Sequence, residues 1–148
     1  MTPFRFRLEK VLAWRRTQVE LEEARFKQQI SALNHLDRSR AQLEAAGIRA
    51  EVEVRAWAPL DGSDLSALAG FRLHVRHQEK TIAARRVEAQ KELEARKNAL
   101  LEARRRCQLM ERLKERQLAD WQAACDRELE ETAADSHLAA IARRRASL

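Results

Sequence analysis

The stretch from Asp64 to Arg145 contains no proline and only one glycine, Gly70, and this constrains the fold more than any other feature of the chain. Nothing in it would interrupt a helix, so we predict one continuous helix of about 80 residues, or about 120 Å at 1.5 Å per residue. A helix of this length does not fit inside a compact domain of this size. The stretch therefore predicts an extended helical protein.

Apolar residues recur along this stretch at heptad spacing. One row contains Leu68, Val75, Ile82 and Ala89, and a second contains Leu93, Leu100, Cys107 and, after Lys114, Trp121. A narrow stripe continued over many turns is typical of a coiled-coil seam rather than of a helix buried in a globular core. The composition agrees, because 35% charged and 5% aromatic residues favour a long helix over a thick core.

The N-terminal half has a heptad pattern of its own. Its rows are Leu12, Val19, Phe26 and Leu33 on one side, and Leu8, Leu36 and Leu43 on the other. The second row is interrupted by Arg15, Glu22 and Gln29, and such polar positions weaken a coiled coil but can fix its register. We expect Thr2 to cap this helix and Pro3 to occupy its first position. Gly47 is a weak point inside it.

The only concentrated turn chemistry lies between Ala58 and Asp64. Pro59 ends the first helix, Asp61-Gly62 makes the turn, and Ser63 or Asp64 caps the second helix. A connection this short makes neighbouring helices antiparallel. The predicted fold is therefore all-α: a long two-helix antiparallel coiled-coil hairpin spanning residues 1–148 as one unit. Its first helix covers about 3–57, its turn 58–64 and its second helix about 64–145.

The two predicted arms are unequal. Folding at about residue 61 pairs position i with roughly 121 − i, which sets Leu8 near Leu113 and Trp14 near Cys107. The first helix then runs out near residue 118, and the last ~25 residues of the second overhang by about 40 Å. The overhang carries Leu118, Trp121, Cys125, Leu129, Leu138 and Ile141. An unpartnered helix with apolar residues either frays or docks on another protein.

Charge is unevenly distributed along the second helix. The net charge is +6, but residues 104–116 carry six basic and two acidic side chains, whereas residues 118–137 carry one basic and six acidic ones. Alternating blocks suggest a rod that meets charged partners at defined heights. The triplet Arg104-Arg105-Arg106 winds around the helix, so a solvated, partly ion-paired surface and a docking patch for an acidic partner both remain possible readings of it.

No enzyme is expected from this sequence, because it has no phosphate-binding glycine loop and a hairpin offers no enclosed pocket. We expect no catalytic residues, no metal site and no cofactor, and interpret His74 and His77 as solvated residues of one helix face. Met1 to Lys10 has no apolar core segment and the chain has no long apolar run, so we expect neither a signal peptide nor an integral membrane segment. Cys107 and Cys125 lie about 27 Å apart on one helix and cannot bridge each other. A cytosolic, reduced protein is predicted.

The N-terminal residues from Phe4 to Arg16, followed by Glu20 to Ala24, resemble the opening of the FliJ family of the bacterial flagellar type III export apparatus. Leu113-Lys114-Glu115-Arg116-Gln117 is similar to that family's leucine-x-glutamate-arginine run. Phe71, just after the turn, falls where family members often have phenylalanine. Near the end, Arg127 and Asp135 keep only half of a family motif, because Ala134 stands in its acidic pair. Length, hairpin and turn position agree with the family over the whole chain.

The resemblance implies a protein like the central stalk of rotary ATPases, which couples a hexameric export ATPase to the cytoplasmic domain of the membrane export gate and interacts with export chaperones. It implies a cytoplasmic location, peripheral to the inner membrane at the flagellar base. The ATPase contact is assigned to the terminal end, namely Arg112, Lys114, Arg116, Leu118, Trp121, Cys125 and Leu129. The gate contact is assigned to Phe71, Val75 and Ile82, which the pairing rule sets opposite the small residues Ala50, Ala46 and Ser39; ordinary seam packing is the alternative for these three.

Two other functions compete with the flagellar stalk. The stalk of a virulence type III secretion system has the same shape and task, although the phenylalanine-rich start favours the flagellar protein. A basic coiled coil acting as a structural or nucleic-acid-binding tether would bind DNA or RNA in a salt-dependent way. Nucleic acid is not the expected partner, because a rod that binds it would more often be basic throughout.

Overall fold

The computed structural model describes residues 3–146 and contains two α-helices, α1 (Glu9–Ala56) and α2 (Gly62–Ala146). The helices pack against each other, and residues 3–146 include no strand. Both ends of α1 show the antiparallel arrangement: Glu9 pairs with Lys114, and Glu51 pairs with Arg72. The predicted long two-helix antiparallel coiled-coil hairpin is confirmed.

The contacts within the chain form two units, and each unit takes a part of both helices. The terminal unit comprises Met1–Gln18 and Ala103–Leu148, and the turn unit comprises Val19–Glu102. The sequence predicted a single hairpin unit over residues 1–148.

In the turn unit, α2 begins at Gly62, two residues earlier than predicted. Asp61 is the residue that caps it, rather than Ser63 or Asp64, because the Asp61 carbonyl accepts hydrogen bonds from the N–H groups of Asp64 and Leu65. The Asp61 N–H in turn donates to Asp64 Oδ2 at 3.1 Å, which is half of a capping box. The Asp-Gly pair therefore starts the helix instead of making the turn, and the connection is Trp57 to Asp61.

In the terminal unit, α1 begins at Glu9 and not at the predicted Pro3. Residues 3–6 are non-helical and residues 7–8 form a turn, while the predicted cap Thr2 lies outside the described residues. The physical reason is the burial of two aromatic side chains: Phe6 is 7% exposed, and Phe4 packs on Trp121 of α2. A helix starting at Pro3 would turn these alternate residues to different faces.

The two predicted heptad rows of α2 lie in the seam. Their members are all buried or half-buried: Leu68, Val75, Ile82, Ala89, Leu93, Leu100, Cys107, Lys114 and Trp121. On α1, Leu12 is completely shielded from water. Leu8, a member of the second predicted row, is instead 39% exposed. The seam is one residue wide on most turns, which is why so few side chains are fully buried.

The observed alignment of the arms differs slightly from the predicted pairing. Glu9, Asp37 and Glu51 each pair with a residue about two positions further along α2 than the rule places it, at Lys114, Arg86 and Arg72. A shift of about two residues is less than one helical turn. The predicted neighbours Trp14 and Cys107 have opposite environments, since Cys107 is buried and Trp14 is 52% exposed.

Replacing Gly47 with alanine is expected to stabilise the protein by about 1 kcal/mol, because glycine is a poor helix former. The added methyl group has room: it would lie 3.7 Å from Val75 Cγ1, an ordinary van der Waals distance. Thermal unfolding followed by circular dichroism would measure the gain. Gly70→Ala is the matched control, since no atom lies within 4 Å of the added methyl and only helix propensity changes. A lower melting temperature for Gly47→Ala alone would contradict the seam geometry.

Candidate partner-binding surfaces

The non-helical N-terminal segment covers one face of α2 in the terminal unit. The rings of Phe4 and Trp121 lie 6.0 Å apart between centroids, tilted by 52°. A surface groove runs beside this pair and is lined by Pro3, Phe4, Arg5, Gln117 and Trp121. Phe6 is buried next along the segment, at 7% exposure. The N-terminal segment therefore has one phenylalanine packed on Trp121 and a second one buried.

This cover corrects the predicted overhang. The first arm was expected to end near residue 118 and leave Leu118, Trp121 and Cys125 without a partner. Instead all three are half-buried, and Phe4 packs on Trp121. Phe4 extends the cover of α2 to Trp121, three residues beyond the predicted end of the first arm.

The basic residues assigned to the ATPase contact differ in their availability. Lys114 Nζ lies 2.7 Å from Glu9 Oε2, so this ammonium group is already paired with α1. Arg112 and Arg116 are exposed. Arg16 and Glu111 form a second ion pair between the arms, at 3.1 Å. The exposed arginines, rather than Lys114, are therefore the cations that a partner could reach without breaking an arm-to-arm contact.

Beyond Cys125, α2 leaves the seam. Every residue from Asp126 to Ala139 is exposed, including Leu129 at 59% and Leu138 at 62%. Several polar side chains bond to the helix itself, as Arg127 does to the Ala123 carbonyl and Thr132 to the Glu128 carbonyl. We call residues 126–146 the terminal extension. Its charged residues are Asp126, Arg127, Glu128, Glu130, Glu131, Asp135 and Arg143 to Arg145.

The three residues assigned to the gate contact lie in the turn unit, and two of them belong to the seam. Val75 is buried at 9% exposure against Gly47, and Ile82 is half-buried. Small residues opposite Val75 were expected to offer little cover. Val75 is nevertheless buried, and a methyl group at Gly47 would still fit at 3.7 Å from its Cγ1. Only Phe71, at 36% exposure, borders the surface.

Sequence analysis missed a group of exposed apolar residues on either side of the turn. Phe71 borders two surface grooves, one containing Ile48 and the other containing Trp57. The exposed members of the group are Ile48, Val52, Trp57, Leu60, Leu65 and Leu73. They stand outside the heptad rows, so a search for the seam passes over them. An off-row count of large apolar residues between 48 and 73 would have found them.

Ion pairs between the arms also occur in the turn unit. Arg86 Nε donates to Asp37 Oδ1 at 2.7 Å. This hydrogen bond, together with the charge of Asp37, raises the pKa of the Arg86 guanidinium above its ordinary value. Since both side chains are nearly half exposed, the pair contributes more to alignment than to stability.

No metal-binding cluster of three or more His, Cys, Asp or Glu side chains occurs within residues 3–146. His74 and His77 are both exposed. Cys107 is buried, Cys125 is half-buried, and both are free thiols. Across the same residues, neither helix has a stretch apolar enough to cross a membrane.

Val75→Ala is expected to cost about 2 kcal/mol of stability, because it removes two buried methyl groups from the seam. Urea unfolding would measure the loss. Val87→Ala is the matched control: Val87 lies on the same helix, is 56% exposed, and should change stability by less than about 0.5 kcal/mol. Equal effects of the two substitutions would show that Val75 is not a seam residue and would return it to the candidate gate contact.

No family model matches this chain, and neither a curated protein nor a solved structure is similar enough to count as a match. What the chain does is therefore inferred from its own residues and their packing.

Proposed function

We propose that this protein is a stalk of the flagellar type III protein export apparatus, which binds the hexameric export ATPase with the terminal end of its hairpin and connects it to the membrane export gate. The resemblance of Phe4 to Arg16 and of Leu113 to Gln117 to the FliJ family supports the system. The observation that carries the mechanism is the terminal extension, a helical segment that continues after the seam has ended.

The terminal extension is helical without a partner helix over most of its length. Packing of an apolar face supplies most helix stability in proteins, and the exposed residues of this segment lack such packing. Leu129 and Leu138 remain exposed, and burying each would contribute about 1.5–3 kcal/mol. A protein that encloses this segment would supply the missing packing. A ring-shaped ATPase with an axial opening is such a protein.

The distribution of charge along α2 also supports an ATPase contact at the terminal end. The exposed Arg112 and Arg116 precede the acidic residues Asp126, Glu128 and Glu130 along α2. A ring with the complementary order of charge would attract the stalk and set its depth. Exposed ion pairs are individually weak, so such a match would position the helix while still permitting it to turn.

The gate contact belongs to the turn unit in this proposal. Val75 and Ile82 are seam residues, so the proposed gate surface is reduced to Phe71 and the exposed Ile48, which line one groove. The exposed Leu73 lies two residues further along α2. Contact at both ends would place the protein in the cytoplasm, beside the inner membrane at the flagellar base. Export chaperones are further expected partners through the family resemblance.

The virulence type III stalk would use the same surfaces, and the N-terminal Phe4-Arg5-Phe6 start favours the flagellar system over it. Nucleic-acid binding is disfavoured by the terminal extension itself, whose acidic residues Glu128, Glu130 and Glu131 would repel phosphates.

Deleting residues 126–148 is expected to abolish binding to the export ATPase while leaving the hairpin folded. The deletion begins after the half-buried Cys125, so it removes no buried side chain of the described residues. Binding can be measured by biolayer interferometry on the assembled ATPase hexamer, and folding by the thermal melt. A deletion from residue 118 would not be a clean test, because it also removes Trp121 from Phe4.

A single substitution sharpens this test. Leu129→Ala should weaken ATPase binding about tenfold or more, the equivalent of about 1.5 kcal/mol. Leu101→Ala is the control, because Leu101 is 52% exposed on the same helix but lies outside both the terminal extension and the stretch from Arg112 to Arg116. Unchanged affinity of the deletion protein for the ATPase would refute the terminal contact. Salt-dependent binding of the intact protein to RNA or DNA would instead favour the nucleic-acid-binding tether.

A further inference from the structure

We propose that the N-terminal segment Pro3 to Phe6 is a clasp that occupies the ATPase-binding face of α2 in the free protein and is displaced when the ATPase binds. The inference rests on the proposed function and adds a regulatory step to it. The clasp lies entirely in the terminal unit, where Phe4 packs on Trp121 and Phe6 is buried.

The clasp covers the part of α2 that leads into the terminal extension. Leu118, Trp121, Cys125 and Leu129 follow one another at spacings of three or four residues, so they share one helix face. The first three are half-buried and Leu129 is exposed. A partner that packs along this face from Leu129 towards the seam would meet Phe4 at Trp121. Extending its contact requires removal of the Phe4 ring.

The clasp can detach from α2 without unfolding α1. Pro3 to Phe6 is non-helical, and its first residue is a proline, which has no N–H to donate. The Phe6 carbonyl accepts a hydrogen bond from the Glu9 N–H at 3.2 Å, which marks the junction with α1. The next tie to α2 is the Glu9–Lys114 ion pair, whose side chains are both partly exposed. Release of the two phenylalanines therefore leaves the helical seam from Leu12 onwards in place.

Competition between the clasp and the ATPase has a thermodynamic consequence. The apparent affinity for the partner is the intrinsic affinity multiplied by the fraction of molecules whose binding face is free. A closed clasp lowers that fraction and therefore weakens binding. By linkage, the ATPase must favour the open clasp by the same factor. Phe4→Ala is therefore expected to raise ATPase affinity about tenfold, in the opposite direction from most interface substitutions.

Hydrogen–deuterium exchange of the full-length protein, with and without the ATPase hexamer, tests this directly. Amide exchange in residues 4–8 should increase on binding, while exchange in residues 118–129 decreases. A purely structural N-terminal segment would show unchanged or slower exchange in residues 4–8. The Phe4→Ala protein is compared in the same experiment, and its affinity for the hexamer is measured by biolayer interferometry.

Trp14→Ala is the matched control for Phe4→Ala. Trp14 is also an aromatic residue near the N-terminus, but it is 52% exposed, and its ring contacts the neighbouring Arg15 guanidinium at 4.7 Å. Its removal should change neither affinity nor exchange in residues 4–8. The thermal melt of all three proteins reports whether the seam is intact.

The outcomes distinguish a failure of the clasp proposal from a failure of the stalk proposal. Binding with faster exchange in residues 4–8 and a tighter Phe4→Ala variant supports both. Binding with slower or unchanged exchange there, or a weaker Phe4→Ala variant, overturns the clasp and leaves the stalk standing. If neither the wild-type protein nor Phe4→Ala binds the hexamer, the stalk proposal fails and the clasp fails with it.

Discussion

Burial of a narrow apolar seam between α1 and α2 is the interaction on which the rest of this structure depends. Leu12 is completely shielded and Val75, Leu100 and Cys107 nearly so, while much of the remaining apolar surface faces water. A hairpin with so thin a core cannot hide apolar side chains that lie off the seam. Apolar side chains off the seam, such as Leu129 in the terminal extension and Leu73 after the turn, consequently stay exposed and available to other proteins.

Polar groups inside the seam control its register rather than its strength. Gln29 Nε2 donates to the Ala89 carbonyl at 3.0 Å, a contact that a shifted alignment would break. Glu22 accepts from Arg25 through Oε1, but its Oε2 is buried and receives no hydrogen bond from the described residues. Leaving a carboxylate oxygen unsatisfied costs stability, and polar seam positions are known to fix alignment at such a cost. A fixed alignment determines which α2 residues are covered and which remain for partners.

The fold could be predicted from sequence because its signals are repeated many times. Heptad spacing located the seam, and the residues around Pro59 located the connection to within a few positions. The predicted start of α1 at Pro3 was wrong, because Pro3 begins a segment in which phenylalanines and arginines alternate. That alternation, in Phe4-Arg5-Phe6-Arg7, has the period of extended chain rather than of a helix. The cover on Trp121, a residue of the predicted ATPase contact, could not be predicted, since it comes from Phe4, more than a hundred positions away.

Photo-crosslinking at two leucines tests most directly whether the two ends of the hairpin serve different partners. Leu129 and Leu73 have similar exposure, at 59% and 66%, and lie on the same helix, so a photoreactive amino acid at either site should leave the seam undisturbed. With the export ATPase and the cytoplasmic domain of the export gate both present, position 129 should crosslink to the ATPase and position 73 to the gate. Crosslinking of position 73 to the ATPase, with none from position 129, would contradict the proposed stalk.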